Sequence, residues 1–165
     1  MNRIYCALGK IVEVTQIIEK TVGELCENSE IIKEFGRHSK MTLADFEQVK
    51  GDAAYLKEKM ETMTFGQMIG IVYESKSLSY DEINLLKELL EKRNYFTHEY
   101  FKYTKFKVPQ DESFILEEFE ALKEYLRQLN KMLGRLEMIR SSQIERLNYL
   151  IQKEGLWWLK KMKHL

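Results

Sequence analysis

The residues of this sequence whose types and spacing suit chemistry lie between Arg93 and His98. In a helix that turns about 100° per residue, Arg93 falls on one stripe with Leu86 and Leu90, where the pattern favours another apolar residue. A guanidinium on such a stripe is costly unless it is paired or partly solvated, so it indicates a structural ion pair or a functional group. A histidine has an ordinary pKa of about 6.5, so His98 suits proton transfer near neutral pH. Asn94 lies four residues before His98 and neighbours it on a helix.

The spacing of Arg93 and His98 limits what one helix can do with them. Five residues apart, they lie about 140° from each other around a straight α-helix. Both side chains would reach one phosphate only through the length of the arginine, or if a second chain helped to close the site. The alternatives for Arg93 are a buried pair with a carboxylate and a side chain that extends to solvent. A lone histidine is more often structural than catalytic.

A basic and aromatic segment follows His98. Between positions 92 and 107 there are five lysines or arginines and a single acid, Glu99. Cations bind a phosphate backbone and aromatic faces stack on bases, so this segment is a candidate RNA contact. The candidate RNA-binding residues are Lys102, Tyr103, Lys105 and Lys107. The alternative is a solvated loop whose aromatic residues reach into the core.

The composition predicts an all-α protein. The 165 residues include 26 Lys and Arg and 26 Asp and Glu, so the zero net charge excludes a globally basic nucleic-acid binder. One proline and eight glycines are too few for a fold of many short strands. Cys6 and Cys26 are about 30 Å apart on one predicted helix and cannot form a disulfide. Without a zinc-type cluster, a membrane span or a signal peptide, we expect a cytoplasmic protein that needs no metal or cofactor.

The elements that must position the site are predicted to form an antiparallel helical bundle with a long C-terminal helix. A first helix is expected from Asn2 to Cys26, followed by a short turn that ends at Gly36. Three capping boxes open the next helices, which reach about Met60, Tyr73 and Tyr100. The boxes are Thr42 with Asp45, Thr64 with Gln67, and Ser79 with Glu82. The stripe of the first helix comprises Ile4, Leu8, Ile11, Val12, Ile18, Val22 and Leu25.

The last long helix has Asp111 as its candidate cap and carries a heptad seam. The seam comprises Ile115, Phe119, Leu122, Leu126, Leu129, Leu133 and Leu136. Packing within the bundle is the favoured interpretation of this seam, and a dimer seam is the alternative. The seam stops near residues 140–142, and a second segment carries Trp157 and Trp158. The chain therefore divides into a bundle over 1–140 and an extension over 141–165, which packs on the bundle or on a partner.

The segment from Arg93 to His98 resembles the R-x4-6-H motif of the HEPN superfamily, a group of small all-helical domains that includes many RNase toxins. A polar residue, Asn94, follows the arginine, as is usual in that motif. Tyr100 completes the form R-x4-H-x-Y, which is similar to HEPN toxins paired with minimal nucleotidyltransferase antitoxins. The helical context extends the resemblance to roughly residues 64–136.

The resemblance implies a metal-independent endoribonuclease, as a toxin or phage-defence effector. His98 would act as general acid or base, and Arg93 would bind the scissile phosphate and stabilise the charge that develops there. Asn94 would orient His98 or contact the phosphate. The family also implies a homodimer whose two motifs form a composite site, RNA as substrate, and a possible nucleotidyltransferase-type antitoxin that attaches AMP to Tyr100.

Two other functions are compatible with the same sequence. A catalytically silent HEPN-like module would use the Arg93 pocket to bind a nucleotide or RNA, or would dimerise as a regulatory partner. A general helical interaction protein would instead use the heptad seam as its working surface.

Overall fold

A computed structural model describes residues 2–37, 42–76, 78–100 and 112–153. Over these ranges the chain forms helices and turns without a β-strand. The five α-helices are α1 (Asn2–Arg37), α2 (Leu43–Glu61), α3 (Phe65–Glu74), α4 (Tyr80–Asn94) and α5 (Glu112–Lys153), and a π-helical turn (Tyr95–Glu99) directly follows α4. The predicted all-α class with a long C-terminal helix is confirmed.

The three capping boxes are present and fix where α2, α3 and α4 begin. In each, the cap hydroxyl accepts a hydrogen bond from the backbone N–H three residues later, and that residue's side chain accepts one from the cap backbone N–H. Such caps contribute about 1 kcal/mol each. The caps are Thr42, Thr64 and Ser79.

Contacts between the helices define their directions. Glu24 of α1 pairs with Arg140, and Ser29 bonds Gln143, so α1 and α5 run in the same direction. Helices α4 and α5 run in opposite directions. Glu82, early in α4, pairs with Arg135 of α5, whereas the later Lys92 donates a hydrogen bond to the earlier Gln128. Phe35 near the end of α1 clusters with Val49 of α2, whereas Gly23 approaches the later Met60. Both α2 and α4 therefore run against α1 and α5, as an antiparallel bundle requires.

Helix α1 is longer than the sequence predicted. It continues past Cys26 to Arg37 and includes the segment that was expected to form a turn. The reason is tertiary, because Phe35 is buried in a second apolar cluster with Val49, Leu147 and Ile151. Most residues of the predicted stripe are buried. The prediction that Val12 belongs to this buried stripe is wrong, since Val12 is exposed.

Helix α5 is continuous through residues 140–142, where the seam was expected to stop. Its seam belongs to the intramolecular core, with Leu122, Leu129 and Leu136 fully buried. Tyr125 and Met132 are also buried, whereas Leu126 and Leu133 lie at the edge of the core. The division of the chain at residue 140 stays a prediction.

The described residues include only part of the two ends of the predicted last helix. Asp111, Trp157 and Trp158 lie outside the described residues. Among the described helices, none has a stretch long and apolar enough for a membrane span.

Candidate functional site

The candidate site lies where α4 ends and the π turn begins. In this turn the backbone N–H of Tyr100 donates to the carbonyl of Tyr95, five residues earlier, instead of to the fourth residue back. Single π turns within helices are rare and are frequent at functional sites. The turn begins two residues after Arg93 and contains His98, and the predicted chemistry depends on these two residues.

The π turn changes the angle around the helix axis between two residues that are five apart in the chain. The rings of Tyr95 and Tyr100 pack edge to face, with centroids 6.4 Å apart and planes at 89°. In a straight α-helix these two positions would lie about 140° apart. Arg93 precedes the turn and His98 lies within it, so the regular α-helical angle does not continue unchanged from one backbone position to the other. The side chain of His98 itself lies outside the described residues.

Aromatic packing holds the turn against α5. The ring of Phe96 lies 5.8 Å from Tyr100 and 5.1 Å from Tyr125, measured between centroids. The hydroxyl of Tyr125 donates a 2.8 Å hydrogen bond to the backbone carbonyl of Leu89, one turn before Arg93. Burial raises the pKa of Tyr125, and the nearby positive charge of Arg93 acts in the opposite direction. Arg93 is thus fixed beside a buried aromatic cluster.

Arg93 donates hydrogen bonds to a glutamate and to an asparagine. Its Nη2 donates to the carboxylate of Glu19 on α1, and its Nη1 donates to Oδ1 of Asn94 at 3.1 Å. The side chains of Arg93 and Glu19 are 28% and 25% exposed. Arg93, on the apolar stripe, is therefore both paired and partly solvated. The pairing agrees with a structural ion pair, and the partial exposure agrees with a functional group that can reach a ligand.

Glu19 is the residue of this site that sequence analysis missed. It lies 74 residues from Arg93 along the chain, so no local motif connects the two. Its only sequence signal is an acid between the buried positions Ile18 and Val22 of α1. That pattern is common at the edge of any amphipathic helix.

Asn94 contacts Arg93 directly, because its amide oxygen accepts a hydrogen bond from the guanidinium. Its expected role, to orient His98 or to contact the phosphate, stays a prediction. The direct contact seen here positions the guanidinium.

Tyr100, the predicted modification site, is buried in the core. Burial, followed by the nearby carboxylate of Glu118, raises the pKa of Tyr100 to about 12. A nucleotidyl group could be attached only after this side chain had left the core. Tyr95 of the same turn is 44% exposed.

The predicted RNA-binding residues Lys102, Tyr103, Lys105 and Lys107 lie outside the described residues. Within the described part of the chain, no three His, Cys, Asp or Glu residues are grouped so that they could hold a metal ion. Comparisons of the chain with family models, curated proteins and solved structures gave no match.

Proposed function

We propose that this chain is a metal-independent endoribonuclease of HEPN type, which acts as a dimer in a toxin or phage-defence role. One observation carries the proposal. An arginine and an asparagine, bonded to each other, end a helix of an all-α bundle, and a π turn that contains His98 follows them directly. This arrangement supplies a cation at a partly solvated position and a titratable group five residues later in the chain.

The chemistry proposed for these residues needs only the RNA and the protein. The 2′-oxygen of the ribose attacks the adjacent phosphorus while the bond from phosphorus to the 5′-oxygen breaks, which leaves a cyclic phosphate and a free 5′-hydroxyl. His98 takes the proton from the 2′-hydroxyl or gives one to the departing 5′-oxygen. Arg93 binds the phosphate and stabilises the negative charge that develops on it.

Exposed apolar residues beside Arg93 support the dimer. Tyr5, Val12 and Glu19 are spaced by seven residues and so share one face of α1. Tyr5 is 54% exposed, Val12 is 40% exposed, and Tyr95 of the π turn is also exposed. A second copy that covered this face would bring its own Arg93 and His98 close to the first pair. The α5 seam is less suited to this role, because it is buried within the chain.

The test is cleavage of RNA by the purified full chain in EDTA, with wild type compared with His98→Ala. We expect wild type to give cyclic-phosphate ends and the variant to lose about 10²-fold or more of the rate, as is typical when a general acid or base is removed. Equal cleavage by both proteins would contradict the proposal.

A catalytically silent binding module is the second candidate, and the pairing of Arg93 with Glu19 favours it. A guanidinium that already has a carboxylate partner can hold the bundle together or bind a phosphate without any chemistry. RNA binding that depends on Arg93, without cleavage, would support this module. An AMP-transferring antitoxin fits less well, because Tyr100 is buried.

A further inference from the structure

In the ion pair between Arg93 and Glu19, the guanidinium that would bind a phosphate already has a carboxylate partner. One terminal nitrogen of the guanidinium donates to Glu19 and the other to Asn94. A phosphodiester binds arginine best through two parallel N–H donors. A phosphodiester that bound through the same two terminal nitrogens would compete with these two acceptors for the guanidinium.

The two acceptors differ in how strongly they oppose an incoming phosphate. Asn94 is neutral, so replacing its hydrogen bond exchanges one acceptor for another. Glu19 carries a negative charge, which repels a phosphodiester as long as it remains beside Arg93. Both side chains of the ion pair are partly exposed, so water can solvate the carboxylate after it separates.

We propose that Glu19 is the resident anion of the Arg93 site, and that a phosphodiester of an RNA strand displaces it on binding. In the free protein Glu19 holds the guanidinium in place, and the exchange lowers the affinity of the site for RNA. The inference rests on the proposed function, because it takes RNA as the ligand of Arg93.

A second ion pair on the same helix gives a matched control. Glu24 of α1 accepts from Nη1 of Arg140 at 2.7 Å, and the two side chains are 34% and 33% exposed. This pair also joins α1 to another helix, and its exposure is close to that of the pair at Arg93. It lies in a region for which we propose no ligand.

The experiment measures binding of a fluorescein-labelled single-stranded oligonucleotide with 2′-O-methyl ribose throughout, which the proposed reaction cannot cleave. Fluorescence anisotropy would compare wild type with Glu19→Gln and Glu24→Gln. We expect Glu19→Gln to bind about threefold to tenfold more tightly, since it removes a partly exposed like charge. Glu24→Gln should stay within about twofold of wild type.

Measuring Glu19→Gln in an Arg93→Ala protein tests whether the gain in RNA affinity depends on Arg93. There we expect Glu19→Gln to bring no gain, because the cation for which the two anions compete is missing. A gain that persisted there, or an equal gain for Glu24→Gln, would mean a general charge effect and overturn the inference. Equal or weaker binding by Glu19→Gln would overturn it as well.

Circular dichroism would establish that each variant is folded, and Glu19→Ala provides a second neutral variant with the same expected gain. Cleavage is a separate measurement. A protein that never cleaves RNA would contradict the proposed ribonuclease, but the binding comparison would still decide the role of Glu19.

Discussion

Among the described residues, two arginines of other helices pair with glutamates of α1, and their surroundings differ. Arg140 lies within an unbroken helix, and the neighbouring Gln143 donates a 2.8 Å hydrogen bond to Ser29 of α1. Arg93 lies in the last turn of α4, where the regular helix gives way to a π turn packed with aromatic rings. Both arginines connect α1 to another helix, but only Arg93 adjoins a departure from regular backbone.

This difference shows why an ion pair alone does not mark a functional site. The two pairs have similar exposure, so burial does not distinguish them. The distinguishing features are the second acceptor of Arg93, the π turn, and the exposed apolar residues on the same side of α1. The predictions below compare the two regions, which we call the Arg93 end and the Arg140 end.

The largest expected difference is in catalysis. Arg93→Ala should lower the rate of RNA cleavage about 10²-fold to 10³-fold, because it removes a preorganised cation from the developing charge. Arg140→Ala should leave the rate within about twofold. Cleavage assays on the two folded variants check this, and equal losses would show that both arginines act only through stability.

Alkaline pH should act through Tyr100. Its pKa is raised to about 12 in the folded protein, above the ordinary value near 10, so the folded state holds its proton more tightly. The resulting stabilisation is complete below about pH 10 and is lost as the pH rises towards 12, for a total of up to about 2 to 3 kcal/mol.

Urea unfolding between pH 8 and pH 11 measures the first part of this loss. Tyr100→Phe should make the profile shallower without flattening it, because burial also raises the pKa of Tyr125 and of Cys26, which keep their own contributions. Tyr149 at the Arg140 end is exposed, so Tyr149→Phe is the control and should leave the profile unchanged. If Tyr100→Phe kept the wild-type slope, another group would be responsible.

Two hydrogen bonds allow stability to be separated from activity. Tyr125→Phe removes the donor to the carbonyl of Leu89, and Gln143→Leu removes the donor to Ser29. Each should lower the free energy of unfolding by about 1 kcal/mol. Only Tyr125→Phe should also slow cleavage, because it loosens the helix end that carries Arg93. Chemical denaturation and cleavage assays on both variants test this contrast.

The smallest expected effect is that of the ion pairs on stability. Glu19→Gln and Glu24→Gln should each lower the free energy of unfolding by less than about 1 kcal/mol, because solvent screens both pairs. Urea denaturation at pH 7 checks this. A much larger loss for Glu19→Gln would assign the Arg93 pair a mainly structural role.

The sequence predicted the features that depend on neighbouring residues. Capping boxes involve residues three apart, and Thr42, Thr64 and Ser79 were identified correctly as helix starts. The C-terminal end of α1 was not predicted, because it depends on distant packing of Phe35 against Leu147 and Ile151.

In the candidate site, too, the local feature was predicted and the features that depend on tertiary contacts were missed. Arg93 stood out because it interrupts an apolar stripe, which is a local pattern. Glu19 comes from another helix, and the π turn accompanies packing of Phe96 against Tyr125 of α5. Neither feature has a local pattern that would identify it.

The parallel course of α1 and α5 has a practical consequence for how the protein can be labelled. Tyr5 lies close enough to Tyr100 for its charge to affect that residue's pKa, so α1 begins beside the π turn. Helix α5 begins at the same end, where Glu118 also acts on Tyr100, and with 42 residues it extends roughly 60 Å. A domain fused before α1 would crowd the π turn and the exposed Tyr5. An affinity tag or fluorophore attached near Lys153 would leave both accessible.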